Sequence, residues 1–277
     1  AETTPGNIMP SFNTDGFTVG EDGGNNATND DGNTFVAWCW KAGGAAVANT
    51  DGSINSSVSA NQTAGFSIVS YTGNGTSGTV GHGLGKTPNI VLCKNRIDSS
   101  NWSFNGNIGG LVYGTNKLIL QTSDAIVSDT NEVTSANATT FTLGNSGATN
   151  GSSDALIAYC WTEIEGYSKF GSYIGNGNAD GPFVYCGFKP AWVMVKCSSN
   201  GSTNWRIWDS SRGSTNPTNL DLLANTSDSE NSYTSDEIDL LSNGFKIRST
   251  GSWHNLSGGS LIFMAFAESP FQTANAK

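Results

Sequence analysis

The sequence predicts an all-β protein made of two tandem, duplicated antiparallel β-sandwich units preceded by a half unit. Three observations indicate this fold: glycine supplies 35 of 277 residues, charged residues make up only 13%, and one set of short β-rich segments occurs twice along the chain. Helical bundles and coiled coils carry far more charge. A hydrophobic fraction of 36% is too high for a chain that stays disordered. Short strands joined by glycine-rich turns are therefore expected.

The repeat is visible as matching segments whose spacing grows along the chain. The segment YTGNG beginning at Tyr71 recurs as YIGNG beginning at Tyr173, so the offset is 173 − 71 = 102 residues. The later segment LIAYCWTE, which contains Ile157, recurs as LIFMAFAE with Ile262, an offset of 262 − 157 = 105 residues. Offsets that grow by single residues are typical of loop insertions within one repeated fold.

The second half of this unit also occurs near the N-terminus, where FVAWCW at residues 35–40 matches LIAYCW. We predict four parts: a half repeat at 1–44, a polar linker at 45–64, a first β-sandwich repeat at 65–166, and a second repeat with a C-terminal tail at 167–277. The half repeat has strands without matching partners in the chain. We therefore expect residues 12–44 to dock on another copy of the chain or on another protein.

Within each full unit, the expected strands are short and end at Asn-Gly turns such as those at Asn74 and Asn176. Helix is nearly absent from the prediction, which allows only a turn or two at residues 220–225 and 236–242. In the first full unit the expected strands are GFSIVSY, PNIVLCKN, KLILQTS, TFTLG and DALIAYCWTE.

The strand that occurs three times has two apolar faces, because successive side chains of a strand alternate between its sides. In the first full unit one face carries bulky side chains such as Tyr159 and Trp161, and the other carries small ones, Ala158 and Cys160. We interpret the bulky face as the filling of the sandwich core. The small face either fits inside a crowded domain or lets a neighbouring subunit approach.

Charge and hydropathy argue against two kinds of partner. Thirteen Lys and Arg against 23 Asp and Glu give a net charge of −10. Affinity for a phosphate backbone comes from basic side chains, so we expect no nucleic-acid partner. Apolar runs such as residues 261–267 are much shorter than the roughly 20 residues of a membrane helix. We therefore expect no membrane insertion.

Histidine and cysteine offer little catalytic chemistry. His82 and His254 lie in separate Gly-rich or Ser-rich loops, with no HExxH pattern and no GxSxG nucleophile turn. A Ser/His/Asp triad needs a single histidine, so the sequence leaves that arrangement open while favouring no serine hydrolase. The five cysteines are widely spaced without a CxxC pair, which favours buried free thiols and a reducing cytoplasm: Cys39, Cys93, Cys160, Cys186 and Cys197.

Carboxylates are the other candidates for chemistry. Glu163 and Glu165 lie on one side of a strand end, at a spacing compatible with a glycosidase pair. The second unit has Pro270 in the place of Glu165, which favours a solvated strand end. Acidic loops offer possible Ca²⁺ ligands, but none has the spacing of a calcium loop, and we interpret them as polar turns: residues 21–26, residues 29–33, and the cluster Asp236, Glu237 and Asp239. No cofactor and no metal are predicted.

The tryptophans divide into two groups. Trp102, Trp205 and Trp208 occur in strand-like segments, where core positions are expected, although loop aromatics of β-sandwiches also stack on sugar rings. Trp253 and His254 lie in a Ser-rich loop, and we select them as candidate receptor contacts.

Several long segments resemble a known kind of protein. They are FVAWCWKAGG, NTDGSINSSVSANQTAGFSIVSYTGNGTSGTVGHGLG, WTEIEGYSKFGSYIGNGNADGPFVYCGFKPAWVMVK and MAFAESPFQTANAK. Together they resemble the C-terminal region of tail-fibre-like virion proteins of marine tailed bacteriophages, from residue 12 to the end. The resemblance implies a virion appendage or surface protein, often a homo-oligomer, and no catalytic residues.

The expected function is thus that of a non-enzymatic structural virion protein, a tail fibre or surface appendage that binds host-surface glycan or protein. One alternative is a capsid decoration or fibre protein, and an alternative of another class is a polysaccharide depolymerase tailspike that uses Glu163 and Glu165. The expected partners are other copies of the chain, in a homotrimer, and other virion proteins. The expected location is the virion, assembled in the host cytoplasm.

Overall fold

A computed structural model describes residues 8–20 and 28–268 of the chain. All pairings between its strands are antiparallel, and the only helices in the described residues are single turns. The all-β prediction is confirmed. The chain divides into two compact units, one ending at Trp40 and the other beginning at Lys41.

The N-terminal unit contains a two-stranded hairpin, β1 (Ser11–Phe12) and β2 (Phe17–Thr18). Residues 33–42 follow without forming a strand, although a strand was predicted at 35–40. Phe35 and Val36 are 47% and 41% exposed. The structure assigns no strand to this segment, so the strand prediction is wrong here.

The first sandwich has an eight-stranded sheet in the order β10-β9-β8-β7-β13-β5-β4-β3, which packs against a three-stranded sheet in the order β11-β12-β6. Its elements are β3 (Val47–Asn49), β4 (Ser56–Asn61), β5 (Phe66–Thr72), β6 (Gly78–Gly81), β7 (Ile90–Asn95), β8 (Ser103–Gly106), β9 (Asn116–Ile119), β10 (Val127–Ser128), β11 (Val133–Ala136), β12 (Thr140–Leu143), α1 (Gly147–Asn150) and β13 (Ala155–Trp161).

The second sandwich has a five-stranded sheet in the order β14-β21-β16-β17-β18 and a three-stranded sheet in the order β15-β20-β19. Its elements are β14 (Ser168–Ile174), β15 (Phe183–Tyr185), β16 (Trp192–Cys197), β17 (Arg206–Asp209), β18 (Leu222–Leu223), the 3₁₀ turn Thr234–Asp236, β19 (Ile238–Leu241), β20 (Gly244–Ile247), α2 (Ser252–Asn255) and β21 (Ser260–Phe266). Strands β18 and β19 stand where short helical turns were predicted, so those predictions are wrong. Residues 269–277 of the predicted tail lie outside the described residues.

The two sandwiches share one strand order. The run β5-β13-β7-β8-β9 of the first corresponds to β14-β21-β16-β17-β18 of the second, and β11-β12-β6 corresponds to β19-β20-β15. The first sandwich has three additional strands, the pair β3 and β4 at one edge of its large sheet and β10 at the other.

Strands β3 and β4 correct the prediction of a linker at 45–64. Strand β4 pairs with β5 along its whole length, from Ser56 opposite Tyr71 to Asn61 opposite Phe66. Ile54 and Val58 are buried in the core of the first sandwich. The segment is polar overall because only one side of each strand faces the core, so alternate residues remain exposed.

The repeated strand faces the opposite way from the prediction. In β13 the small residues Ala158 and Cys160 point into the first sandwich core, where Phe141 of the other sheet fills the space. The bulky residues lie on the outer face, as do Ile262 and Met264 in β21. The composition of one strand does not show which side faces the second sheet, because large side chains opposite can fill the space above small ones.

The outer faces of the two large sheets meet each other. The rings of Phe104 and Trp205 lie 5.0 Å apart, and Trp205 Nε1 donates to the carbonyl of Ile119 at 3.2 Å. The ammonium group of Lys196, which is fully buried, donates to the carbonyl of Ser123 at 3.1 Å. Burying a side chain as large as Trp205 stabilises by about 3 kcal/mol, so this contact contributes to the packing of the two sandwiches against each other.

Candidate functional site: the Trp253 platform

Trp253 lies on the surface of the second sandwich in the single-turn helix α2, and 39% of it is exposed. The neighbouring residues of the helix are buried: Tyr173 Oη donates to the carbonyl of His254 at 2.7 Å, and Asn255 Nδ2 donates to the carbonyl of Ser249 at 2.8 Å. These bonds hold the turn against the core, so the indole is an exposed aromatic side chain on a fixed base.

Arg206 lies beneath the indole, with its guanidinium carbon 5.7 Å from the centre of the ring. This distance is within the range of a cation–π interaction. One guanidinium nitrogen, Nη1, lies 2.6 Å from Asp221 Oδ2 and 2.8 Å from Asp236 Oδ2. We call Trp253, Arg206, Asp221 and Asp236 the Trp253 platform.

The charged side chains of the platform are buried, so the ionisation of each one depends strongly on its charged neighbours. Asp221 is fully buried and Arg206 is 6% exposed. Burial raises the pKa of Asp221 to about 6, an effect that Arg206 opposes and the neighbouring Asp236 reinforces. Two carboxylates next to one cation are unfavourable away from water unless the cation stays in place. The two ion pairs therefore keep Arg206 at the position where its guanidinium contacts the Trp253 ring.

His254 does not contact solvent, which corrects its selection as a receptor contact. Its side chain is fully buried, with Nε2 2.7 Å from Ser249 Oγ and its ring edge-on to Trp208 at 5.4 Å. Burial, together with the nearby Arg206 charge, lowers the pKa of His254 to about 3. The imidazole is therefore neutral at pH 7 and supports the turn that carries Trp253.

Ser249, His254 and Asp236 are the three residue types of a serine nucleophile triad, and the fold brings them together. Asp236 Oδ1 lies 4.0 Å from His254 Nδ1, beyond hydrogen-bond distance. Each of the three residues is at most 3% exposed. A substrate carbonyl has no access to Ser249 Oγ, so the arrangement has a structural role.

The other histidine and the carboxylate pair do not form a site. His82 is fully buried, and its Nε2 lies 3.0 Å from the carbonyl of Asn137. Glu163 accepts bonds from the ammonium of Lys169 at 2.9 Å and from the amide of Phe170 at 2.8 Å, so it fastens the start of β14. Glu165 is exposed on the connection between the sandwiches.

The remaining candidates from the sequence are the acidic loops, the cysteine thiols and the tryptophans of the strands. Residues 21–26 lie outside the described residues, and within the described part of the chain no group of three or more acidic, histidine or cysteine side chains is placed to hold a metal ion. Asp239 lies 3.5 Å from Arg248 in an ion pair.

All five cysteines are free; four are buried and Cys39 is exposed. Trp205 is buried, as expected, and so is Trp208, whereas Trp102, also expected in the core, is only partly buried and stacks on Tyr159.

Sequence reasoning missed Arg206 and Asp221. The signal was available in the repeat: at an offset of 221 − 117 = 104 residues Asp221 corresponds to Lys117, and at 236 − 132 = 104 Asp236 corresponds to Glu132. Lys117 and Glu132 form an ion pair in the first sandwich, in which Glu132 is buried and Lys117 is partly buried. Both sandwiches therefore place charged side chains together at this position, with the cation on a different strand in each.

Comparison with known proteins assigns the chain to a family. Residues 1–270 match the model of a family described as Domain of unknown function (DUF7483). The chain belongs to this family. No curated protein and no solved structure matches it. Among the described residues of this DUF7483 chain, no helix is both long and apolar enough to cross a membrane. The family assigns no activity, so a functional proposal depends on the geometry.

Proposed function

We propose that the chain is a non-enzymatic structural protein of a tailed-phage virion, a tail fibre or surface appendage, and that it binds host-surface glycan through the Trp253 platform. The segments that resemble tail-fibre-like proteins support the virion location. The observation that carries the binding proposal is the exposed indole of Trp253, which is fastened to a buried ion cluster.

A fixed aromatic ring suits sugar binding. The apolar face of a sugar ring packs on an indole, and a side chain that is already immobile loses little conformational entropy on binding. Tyr233, 65% exposed, is a second exposed aromatic residue and immediately precedes the 3₁₀ turn that contains Asp236 of the platform. Hydroxyl-rich loops around both residues offer hydrogen bonds to sugar hydroxyls.

The depolymerase alternative receives less support. Glycoside hydrolysis needs two carboxyl groups on either side of the scissile bond. The carboxylate of Glu163 already accepts a bond from Lys169 and one from the Phe170 amide. The buried Ser249 offers no accessible nucleophile. These observations favour binding without catalysis.

The test compares adhesion of the purified chain with that of Trp253→Ala on a glycan array and on a panel of marine bacteria. We expect Trp253→Ala to weaken binding about tenfold or more, and Tyr185→Ala, an equally surface-located aromatic change on β15, to leave it unchanged. Release of reducing sugar from the bound glycan, abolished by Glu163→Gln, would establish the depolymerase instead. Binding that is equal in all variants would reject the platform.

The location is tested separately by gold labelling of virions with antibodies raised against the chain. Label on the tail or its fibres supports an appendage, whereas label distributed over the head supports the capsid decoration alternative. Absence of label from particles that contain the chain's peptides by mass spectrometry would place the protein inside the virion and overturn the adhesive function.

A further inference from the structure

The edge of the first sandwich is closed by its own chain. Strand β4 pairs with β5, and Ile54 forms a bridge with Val80 of β6, so residues 52–61 span the side between the two sheets. On the core side of β4, Val58 lies opposite Val69, and both are buried. The strand that covers this edge, SSVSAN, thus combines small residues with one valine that faces the core.

The corresponding edge of the second sandwich is open. Strand β14, the counterpart of β5, pairs only with β21 among the described strands. The connection from β13 to β14, residues 162–167, is too short to form an extra strand. A groove of about 240 Å³ remains between the two sheets, and its lining includes Lys169, Gly171, Tyr173, Val184, Tyr185 and Phe263.

The outward backbone groups of β14 can be assigned. The amide of Phe170 donates to Glu163 Oε1, on the side away from β21. Since successive residues of a strand direct their backbone groups to opposite edges, the amide and carbonyl groups of Ser172 and Ile174 also point away from β21. Ile174 is 60% exposed. Such an edge is a template for an added strand.

Strand β3, at one edge of the large sheet of the first sandwich, is a second open edge, and its residue pattern is that of β4. Among the described strands it pairs only with β4, with Val47 opposite Val58. Directly opposite residues lie on one side of a sheet, so Val47 is on the core side, yet it is 66% exposed. Residues 45–49, AAVAN, contain none of the charges or prolines with which proteins block strand addition.

The outward backbone groups of β3 can be assigned in the same way. The amide of Gly73 donates to the carbonyl of Asp154, so the odd-numbered residues of β5 face β13. The alternation continues through the pairs β5–β4 and β4–β3. It leaves Ala48 and, just before the strand, Ala46 with their amide and carbonyl groups pointing away from β4. Each open edge therefore offers two residues whose backbone groups point outward.

We propose that β3 of one copy of the chain adds to β14 of a second copy as an antiparallel strand. With Ala48 opposite Ser172 and Ala46 opposite Ile174, each pair exchanges two hydrogen bonds. The orientation is that of β4 on β5, and the added strand has the residue pattern of β4. The second sandwich thereby obtains from another copy the cover that the first sandwich obtains from its own chain.

The side chains of the two edges are complementary in this register. Val47 lies opposite Tyr173, which lines the groove, so its exposed side chain becomes covered. Asp51, exposed just past the end of β3, comes to the end of β14 that carries Lys169. Opposite charges next to each other favour the antiparallel direction of the added strand.

Each copy has one donor strand and one acceptor edge. Contacts of this head-to-tail kind close into a ring when the rotation between copies is a whole fraction of a turn, and otherwise continue into a filament. A closed ring of three copies would be the homotrimer that the sequence predicts. This assembly is independent of host binding through Trp253, which lies on other elements of the second sandwich.

Sedimentation equilibrium of the full chain tests the proposal. We expect the wild-type chain to associate above the 28.9 kDa of one copy as concentration rises. Val47→Asp should weaken this association about tenfold or more, because a carboxylate replaces the valine at the groove. Val112→Asp, on an exposed valine between β8 and β9, is the matched control and should leave association unchanged. Equal association of all three proteins would overturn the proposal.

Ile174→Pro tests the acceptor edge. The amide of Ile174 points away from β21, so proline leaves the pairing of β14 intact but removes a bond that the added strand needs. We expect this variant to keep the unfolding temperature of the wild-type chain and to lose association about tenfold or more. Ile174→Val, which keeps the amide, should associate as the wild-type chain does.

A mixture of Val47→Asp and Ile174→Pro separates head-to-tail pairing from other modes of association. Each variant keeps one intact edge, so the mixture should form pairs of one copy of each and nothing larger. A mixture that stays monomeric, or that forms larger assemblies, would contradict the pairing of β3 with β14. A wild-type chain that is monomeric at every concentration would overturn the proposal outright.

Discussion

Asn150 and Asn255 hold corresponding loops in the two sandwiches through the same kinds of contact. Asn150 Oδ1 accepts from the amide of Asn74 at 2.9 Å, and its Nδ2 donates to the carbonyl of Gly144 at 2.8 Å. Asn255 Oδ1 accepts from the amide of Asn176 at 2.8 Å. Both side chains are fully buried at the end of a single-turn helix. One amide side chain thus supplies the donor and the acceptor that two neighbouring loops need.

Replacing either asparagine by alanine should lower the free energy of unfolding by about 2–4 kcal/mol, because several buried backbone groups lose their partners together. Asn145→Ala, at an exposed position beside α1, is the control and should change it by less than about 0.5 kcal/mol. Urea denaturation measures all three variants. A small effect at Asn150 would mean that water replaces its bonds.

Gly109→Ala should destabilise the contact between the two sandwiches. A Cβ atom at Gly109 would lie 2.5 Å from Ser172 Cβ and 2.9 Å from Ile262 Cγ2, whereas one at Gly110 would meet only Ile126 Cδ1, at 4.0 Å. Both glycines have positive φ, 53° at Gly109 and 96° at Gly110, so backbone strain is no smaller at Gly110 and a larger cost at Gly109 reports the close contacts. We expect Gly109→Ala to cost about 1–3 kcal/mol more than Gly110→Ala in urea denaturation. Equal costs would show that the sandwiches move apart freely.

Arg206→Met should lower the free energy of unfolding by about 3–5 kcal/mol, because Asp221 and Asp236 remain buried without a cation. Arg248→Met is the matched control: Arg248 pairs with Asp239 at 3.5 Å, but its side chain is 42% exposed. An exposed pair contributes about 1 kcal/mol at most. Thermal or urea denaturation at neutral pH checks the difference, and similar losses in both variants would contradict the burial of the cluster.

The pH dependence of stability should report the neutral state of His254. Its pKa is about 3 in the folded chain and 6.5 as the ordinary value. The unfolded chain therefore takes up a proton below pH 6.5 while the folded chain does not, so this residue removes about 2 kcal/mol of stability between pH 7 and 5. Asp221, with its pKa raised to about 6, acts in the opposite direction, because the folded chain binds its proton first as pH falls.

His254→Gln separates these two effects. The variant should be less stable at pH 7, and its stability should rise as pH falls from 7 to 5, because only the Asp221 effect remains at this cluster. Urea denaturation of both proteins at the two pH values gives the difference. If His254→Gln leaves the pH profile of the wild-type chain unchanged, the imidazole is accessible to protons in the folded state.

Thiol labelling should distinguish Cys39 from the other cysteines. The exposed Cys39 is expected to react quickly with a disulfide reagent, and the four buried thiols only after unfolding. Burial also raises the pKa of Cys160 and of Cys186 to about 12, so little of the reactive thiolate is present at these two positions. Counting labels by mass spectrometry should give one in the native chain and five in denaturant. More than one native label would place a second thiol at the surface.

Sequence patterns located most strands of the two sandwiches but not the state of the N-terminal strand. The segment at 35–40 has the residue types of β13 and β21, yet those strands are stabilised by neighbours on both sides. The linker prediction failed because β4 is polar on one face, so its composition did not indicate a strand. Its pairing with β5 is visible only in the three-dimensional structure. Strand formation depends on pairing that is distant along the chain.

The sequence selected one residue of the candidate site. Trp253 was chosen because aromatic side chains on β-sandwich loops can stack on sugar rings, and it is partly exposed. Its neighbour His254, selected together with it, points inward, because a single helical turn places consecutive side chains on different sides. Arg206 and Asp221 lie 15 residues apart in sequence and meet only through the pairing of β17 with the segment at β18.

The sequence by itself determined the all-β class and the recurrence of one strand pattern, since these depend on composition and on local periodicity. Tertiary structure alone decided which face of the repeated strand is inside, which charges are buried together beneath Trp253, and that one sandwich closes its edge while the other leaves β14 open. Burial and strand pairing depend on contacts between segments that are distant in sequence. The residues of one segment do not show which other segment they will contact.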